Sequence, residues 1–149
     1  MRALANLVEE QLVPAYLAAG FHRAAIYMND PMEVVSGREV HLERQENGVI
    51  QFVTLNFDKY RRPAFQMHIG CRGTNSNRTW IRSANVVKRR GQLLHSWGKP
   101  IWLPVQWWTE GMSSRVINRL VAMTPEVLAF LEGGQPSRRL SERFAPSIS

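Results

Sequence analysis

The sequence predicts an α+β fold, an antiparallel β-meander with an N-terminal helix and C-terminal helices packed on one face. Three observations carry this. Asn47-Gly48 separates two strand-like runs and suits a two-residue type I′ turn, whose central residues both need positive φ. Phe65, Met67, Ile69 and Cys71 alternate with Gln66, His68, Gly70 and Arg72, the period of a strand with one buried face. Apolar residues at helical spacing open the chain, as Leu4, Leu7, Val8, Leu12 and Tyr16, and return near its end as Val116, Ile117, Leu120 and Val121.

The first helix should close at Gly20, with Phe21 as the apolar residue that accompanies a glycine-capped end, and Pro14 should kink it. Asn29 to Gly37 reads as loop. Setting Glu46 opposite Val49 pairs Val40 with Leu55 and Leu42 with Val53 on the core face. The same register pairs His41 with Thr54 and Glu43 with Phe52 on the other face. A third strand follows the basic loop Lys59-Tyr60-Arg61-Arg62, whereas residues 73–99 carry no clear period. Pro100 to Trp108 alternates again and is expected to be a strand confined to an edge or a bulge, because Pro104 cannot donate to a ladder. On that strand Ile101, Leu103, Val105 and Trp107 would face the core, and Trp102 and Trp108 would form the opposite, outward side. Ser113 or Ser114 can cap the next helix; Thr124 and Pro125 can start the last one, and Gly133-Gly134 can end it. Residues 1–134 are thus read as one domain, and the Pro, Ser and Arg composition of 135–149 as a mobile basic tail.

A chain of 149 residues can bury roughly 68 to 70% of its unfolded surface, so it needs no covalent staple. The lone cysteine, Cys71, allows no internal disulfide, and Glu9 and Glu10 interrupt what a signal peptide would keep apolar, so a cytoplasmic protein is expected. No uncharged apolar run reaches the roughly 20 residues needed to cross a bilayer, and no membrane partner is expected. The net charge of +7 is unevenly spread: eight acids face four bases up to Asp58, and ten bases stand without one acid from Lys59 to Thr109. Such a segment can attract a polyanion or an acidic protein, unless the acidic N-terminal part packs beside it and cancels the field.

The order of a leading helix ending in Gly20-Phe21, then Val53-Thr54-Leu55-Asn56-Phe57, Trp107-Trp108 and a terminal Leu128-Ala129-Phe130-Leu131-Glu132 resembles the bacterial domain-of-unknown-function family 4304. The likeness spans Leu4 to Glu132, with Trp80 and Arg82 as the matching residues between Thr79 and Arg90. It implies an α+β fold and brings no activity or catalytic residue with it.

No glycine-rich phosphate loop, dinucleotide fingerprint or paired zinc motif occurs, so no cofactor, metal or catalytic residue is assigned. His22, His41, His68 and His95 are scattered; Cys71 lies on a core face; Glu9, Glu10, Glu39, Glu43 and Glu46 read as surface. All five tryptophans fall in the acid-free segment, where bases beside aromatic platforms fit a stacking, polyanion-binding surface. The candidate binding residues are Arg61, Arg62, Lys88, Arg89, Arg90, Trp102 and Trp108. Arg61-Arg62 reads first as the solvated tip of a hairpin, and as part of a site if Lys88 to Arg90 reaches the same edge. The resulting expectation is a binding domain for an acidic macromolecule, a protein ahead of a nucleic acid, with an enzyme of unrecognised type as the remaining alternative.

Overall fold

The computed structural model describes residues 4–24, 39–46, 48–58, 62–73, 80–88, 96–135 and 137–142. The chain opens with helix α1 (Leu4–Leu7), a π turn (Val8–Leu12) and helix α2 (Val13–Ala18). Strands β1 (His22–Arg23), β2 (Glu39–Glu46), β3 (Val49–Phe57), β4 (Ala64–Gly73), β5 (Trp80–Val86) and β6 (Ser96–Gly98) follow. A 3-10 turn (Val105–Trp107) leads to helices α3 (Glu110–Ala122) and α4 (Thr124–Leu131), and β7 (Leu140–Glu142) completes a seven-stranded antiparallel sheet. The strand order is β1-β2-β3-β4-β5-β7, with β6 pairing the first residues of β4.

The π turn is the local answer to Pro14. Proline lacks an N–H and its ring crowds the carbonyl four residues earlier. The backbone widens just before it, and the Val13 N–H bonds to Val8 O, five residues back. The helix then ends as expected: Gly20 sits at φ 97, its N–H bonds to Leu17 O, and the Phe21 N–H reaches back to Tyr16 O. This is a Schellman closure, and the Phe21 ring meets Tyr16 edge-on at a centroid distance of 5.6 Å. Helix α4 ends in the same way, with Gly133 bonding Phe130 O and Gly134 bonding Ala129 O.

The central hairpin adopts the expected register, with Val40 opposite Leu55, His41 opposite Thr54, Leu42 opposite Val53 and Glu43 opposite Phe52. Gly48 takes φ 77 at its turn; Asn47 lies outside the described residues. Val40, Leu42, Val53, Leu55, Phe65, Met67, Ile69 and Cys71 share one buried cluster with Leu7, Leu12, Ile117, Leu120, Val127 and Phe130 of the helices. Helices therefore cover one face of the sheet, which is the α+β architecture expected.

Four local expectations are corrected. Pro100 to Trp108 is not a strand: two prolines deprive it of ladder donors, and Trp107 and Trp108 donate instead to Pro104 O and Val105 O in tight turns. Consequently Trp107 points to solvent and Trp108 is buried, the reverse of the strand reading. Thr109 caps α3 in place of Ser113 or Ser114, accepting from the Met112 N–H at 3.2 Å. Thr124 makes no side-chain cap at α4, although Pro125 does occupy its first turn. Part of the expected tail returns to the sheet: β7 pairs β5, Leu140 is buried, and Arg139 forms an ion pair with Glu126.

Candidate functional site

Arg61, Arg89 and Arg90 lie outside the described residues. Arg62 stands in the β3–β4 connection and pairs with Asp58. Lys88 follows β5, Trp102 is exposed in the β6–α3 connection, and Trp108 is buried beside Ser113. Trp108 is thereby removed as a surface platform, because its indole Nε1 donates to Ser113 Oγ at 2.7 Å within the protein.

The described bases of the acid-free segment are largely engaged in the fold. Arg72 donates to Glu43 Oε1 at 2.6 Å, and Arg62 meets Asp58, so acids of the N-terminal part do cancel charge here. Arg82 lies 3.8 Å from the Phe130 ring centroid and donates to Phe130 O at 2.9 Å. Arg44 acts alike at the other helix end, donating to Ala19 O at 2.8 Å. Both guanidiniums thus satisfy carbonyls at helix C-termini, where positive charge is favourable. Lys99 is buried, and its ammonium donates to Pro100 O at 2.9 Å and Leu103 O at 2.7 Å.

Lys88 converges with a second cation on one ring. Its Nζ lies 5.8 Å from the centroid of the Trp97 ring, and the guanidinium carbon of Arg119 lies 5.8 Å from the same centroid. Trp97 is itself fixed by burial and by its Nε1 donating to Val86 O at 2.8 Å. Burial pushes the Lys88 pKa down, and the neighbouring Arg119 charge pushes it further in the same direction. Arg119 is exposed and has no carboxylate partner among the described residues. Arg115 is also exposed and stands one turn earlier on α3.

Three residues beyond Trp97 begins an apolar loop. Ile101 is 68% exposed, Trp102 80%, Val105 54% and Trp107 64%. A run of large apolar side chains held this far into water is unusual for a surface loop. The loop is nonetheless anchored at both ends: Lys99 binds its carbonyls, and the buried Trp108 and the Thr109 cap fix it to α3. Trp97 and Trp108 are therefore structural tryptophans, and Trp102 and Trp107 are surface ones.

The second sheet face carries a polar row that sequence reading placed on the surface. Glu43 is buried, with its Oε1 2.8 Å from His41 Nε2 and accepting from Arg72; His41 Nδ1 lies 2.7 Å from Thr54 Oγ1. The correction has a tertiary cause, since Arg72 arrives from β4, two strands away. The Glu43–His41–Thr54 order has the connectivity of a carboxylate, a base and a hydroxyl nucleophile. Thr54, however, lies mid-strand in β3, which is paired to β2 on one side and β4 on the other, so the backbone N–H groups around it are taken up in the two ladders and offer no oxyanion donors. His68 and Asn85 extend the row by a hydrogen bond, and Asn85 is buried. The row reads as a hydrogen-bonded support for the sheet.

Cys71 is buried, its Sγ donates to Leu131 O at 3.3 Å, and burial raises its pKa against the opposing charges of Arg82 and Arg44. The thiol form is thus favoured, which disfavours nucleophilic use. Among the described residues no group of three or more His, Cys, Asp or Glu could hold a metal ion, and no helix is long and apolar enough to cross a membrane. No family model matches the chain, and no curated protein or solved structure matches it.

Proposed function

We propose that the chain is a non-catalytic binding domain that recognises an acidic macromolecule, a protein in the first reading. The observation that supports it is the convergence of Lys88 and Arg119 on Trp97, next to a loop that exposes Trp102 and Trp107. Two like charges on one ring repel each other, and an incoming carboxylate relieves that repulsion. The exposed aromatic residues add contact area with little entropy to lose, as at binding hot spots. The proposal extends to a bacterial, cytoplasmic protein of the family 4304 type; the free, buried Cys71 suits a reducing compartment.

A nucleic acid is the second reading, favoured by the exposed indoles, since stacking a base on an aromatic ring contributes roughly 1 to 3 kcal/mol. The test is a titration with poly-L-glutamate and with a single-stranded oligonucleotide at two salt concentrations, read by tryptophan fluorescence. Wild type is compared with Lys88→Ala/Arg119→Ala. Polyglutamate binding that weakens with salt and falls in the variant is the expected result. Preferential binding of the oligonucleotide, with a slope of log K against log salt lowered by roughly 0.7 to 0.9 per lost contact, selects the second reading. No binding of either polymer at low salt rejects both.

A further inference from the structure

We infer that the partner's contacting segment is bipartite, with a cluster of carboxylates for Lys88, Arg119 and Arg115, and a separate apolar anchor for the loop bearing Ile101, Trp102, Val105 and Trp107. This rests on the reading of the domain as a binder of an acidic protein. The two halves of the surface are joined along the chain. Trp97, which touches both cations, is three residues before Pro100, and α3 begins directly after the loop and carries Arg115 and Arg119. Arg119 is ten residues from the Thr109 cap, about 15 Å at 1.5 Å per helical residue. An extended peptide covers that span in four or five residues at roughly 3.3 Å each.

Charge and rigidity choose the occupant. Two copies meeting through this loop would bring Lys88 and Arg119 of each toward the same cations of the other, so self-association is opposed electrostatically. Nucleic acid would use the indole faces but gains nothing from Ile101 and Val105, which are more than half exposed beside the tryptophans. An anionic bilayer offers both charge and apolar depth, yet a fluid surface has no use for a loop held in one shape. Here the shape is fixed from within, by the buried Lys99 ammonium on Pro100 O and Leu103 O and by Trp108 on Ser113. Preorganised apolar anchors reward a partner with a complementary fixed surface. An acidic segment followed by a few apolar residues has that chemistry.

The test uses three fluorescein-labelled peptides followed by anisotropy with the full chain: four glutamates, a four-serine spacer and a Leu-Phe-Leu anchor; the same peptide with serines in place of the anchor; and a scramble of the first. The anchored peptide should bind at least tenfold more tightly than the acid-only peptide, and the scramble should fall between them or below. In Trp102→Ala/Trp107→Ala, the ratio of anchored to acid-only affinity should collapse to within about twofold of one. Lys99→Met, which touches no ligand, should also lower that ratio. An undiminished ratio in the double variant, or no preference for the anchor in wild type, overturns the bipartite segment. Tryptophan-dependent binding to phosphatidylserine vesicles without a peptide preference also overturns it, in favour of a bilayer. If the acid-only peptide binds and depends on Lys88 and Arg119 while the anchor adds nothing, the acidic-partner reading stands and the bipartite segment fails. If no peptide binds, both fail.

Discussion

Replacing Tyr16 by phenylalanine should stabilise this protein, against the usual result of altering a fully buried core residue. Tyr16 is fully buried, and its hydroxyl and that of Thr124 are both enclosed without a hydrogen-bond partner. Thr124 is close enough to ease the Tyr16 pKa downward, but the geometry stops short of a hydrogen bond, and desolvation dominates, raising the pKa well above its ordinary value of 10.0. A buried polar group left unsatisfied costs about 1 to 3 kcal/mol. Tyr16→Phe removes one such group without opening a ring-sized cavity and should add about 1 kcal/mol; Tyr16→Phe/Thr124→Val removes both and should add about 2. For a chain of 149 residues, each kcal/mol moves the melting temperature by roughly 2 to 4 °C. Urea unfolding of the wild type, both single variants and the double variant measures the effects and their coupling. A loss of 1 kcal/mol or more in Tyr16→Phe would show that the two hydroxyls are bonded in solution, and the reasoning would be wrong.

The same residue predicts alkaline behaviour: above pH 10 the unfolded chain releases the phenolic proton that the fold retains, so stability falls with rising pH, and the fall should be shallower in Tyr16→Phe. Equal slopes would contradict the burial assigned to this phenol. Gly70→Ala should cost about 1 to 3 kcal/mol, because a Cβ there would stand 2.6 Å from Phe52 Cζ and 2.7 Å from Arg82 O, which is backbone and cannot rotate away. A neutral result in thermal unfolding would refute the close packing of Phe52 over β4. Val53→Asp should destabilise by several kcal/mol, since it buries a charge in the core, while Arg62→Ala should change stability by less than about 1, because the Arg62 side chain is 44% exposed. Similar unfolding midpoints for these two variants would invert the assignment of core and surface.

Sheet register was legible in the sequence because it rests on local chemistry: a turn in which Gly48 takes positive φ, and alternation on both sides of it that puts Val40, Leu42, Val53 and Leu55 on one face. Helix ends were legible for the same reason, Gly20 and Gly133 being the residues a left-handed closure requires. Pro100 to Trp108 misled because period-2 alternation also arises by chance in a turn; two prolines within five residues were the better signal. Glu43 was misplaced because its burial depends on Arg72, two strands distant, a pairing with no local trace. The candidate site was half visible. Lys88 and Trp102 were read from charge and composition, but Arg119 was not, since its approach to Trp97 depends on how α3 packs against the sheet. Its spacing of four from Arg115 was the available signal and points only to a shared helix face.

The indole N–H resonances of the tryptophans test the central claim most directly. In a ¹⁵N-labelled sample titrated with poly-L-glutamate at low salt, the signals of the exposed Trp102 and Trp107 should shift progressively. The signal of Trp108, whose Nε1 is committed to Ser113 Oγ inside the fold, should stay in place. Assignment follows from single Trp→Phe variants, and the shifts should reverse on adding salt. Movement of Trp102 and Trp107 against a stationary Trp108 is the result predicted for an acidic partner docking on this loop. Unmoved Trp102 and Trp107 signals, with or without shifts elsewhere, would contradict it.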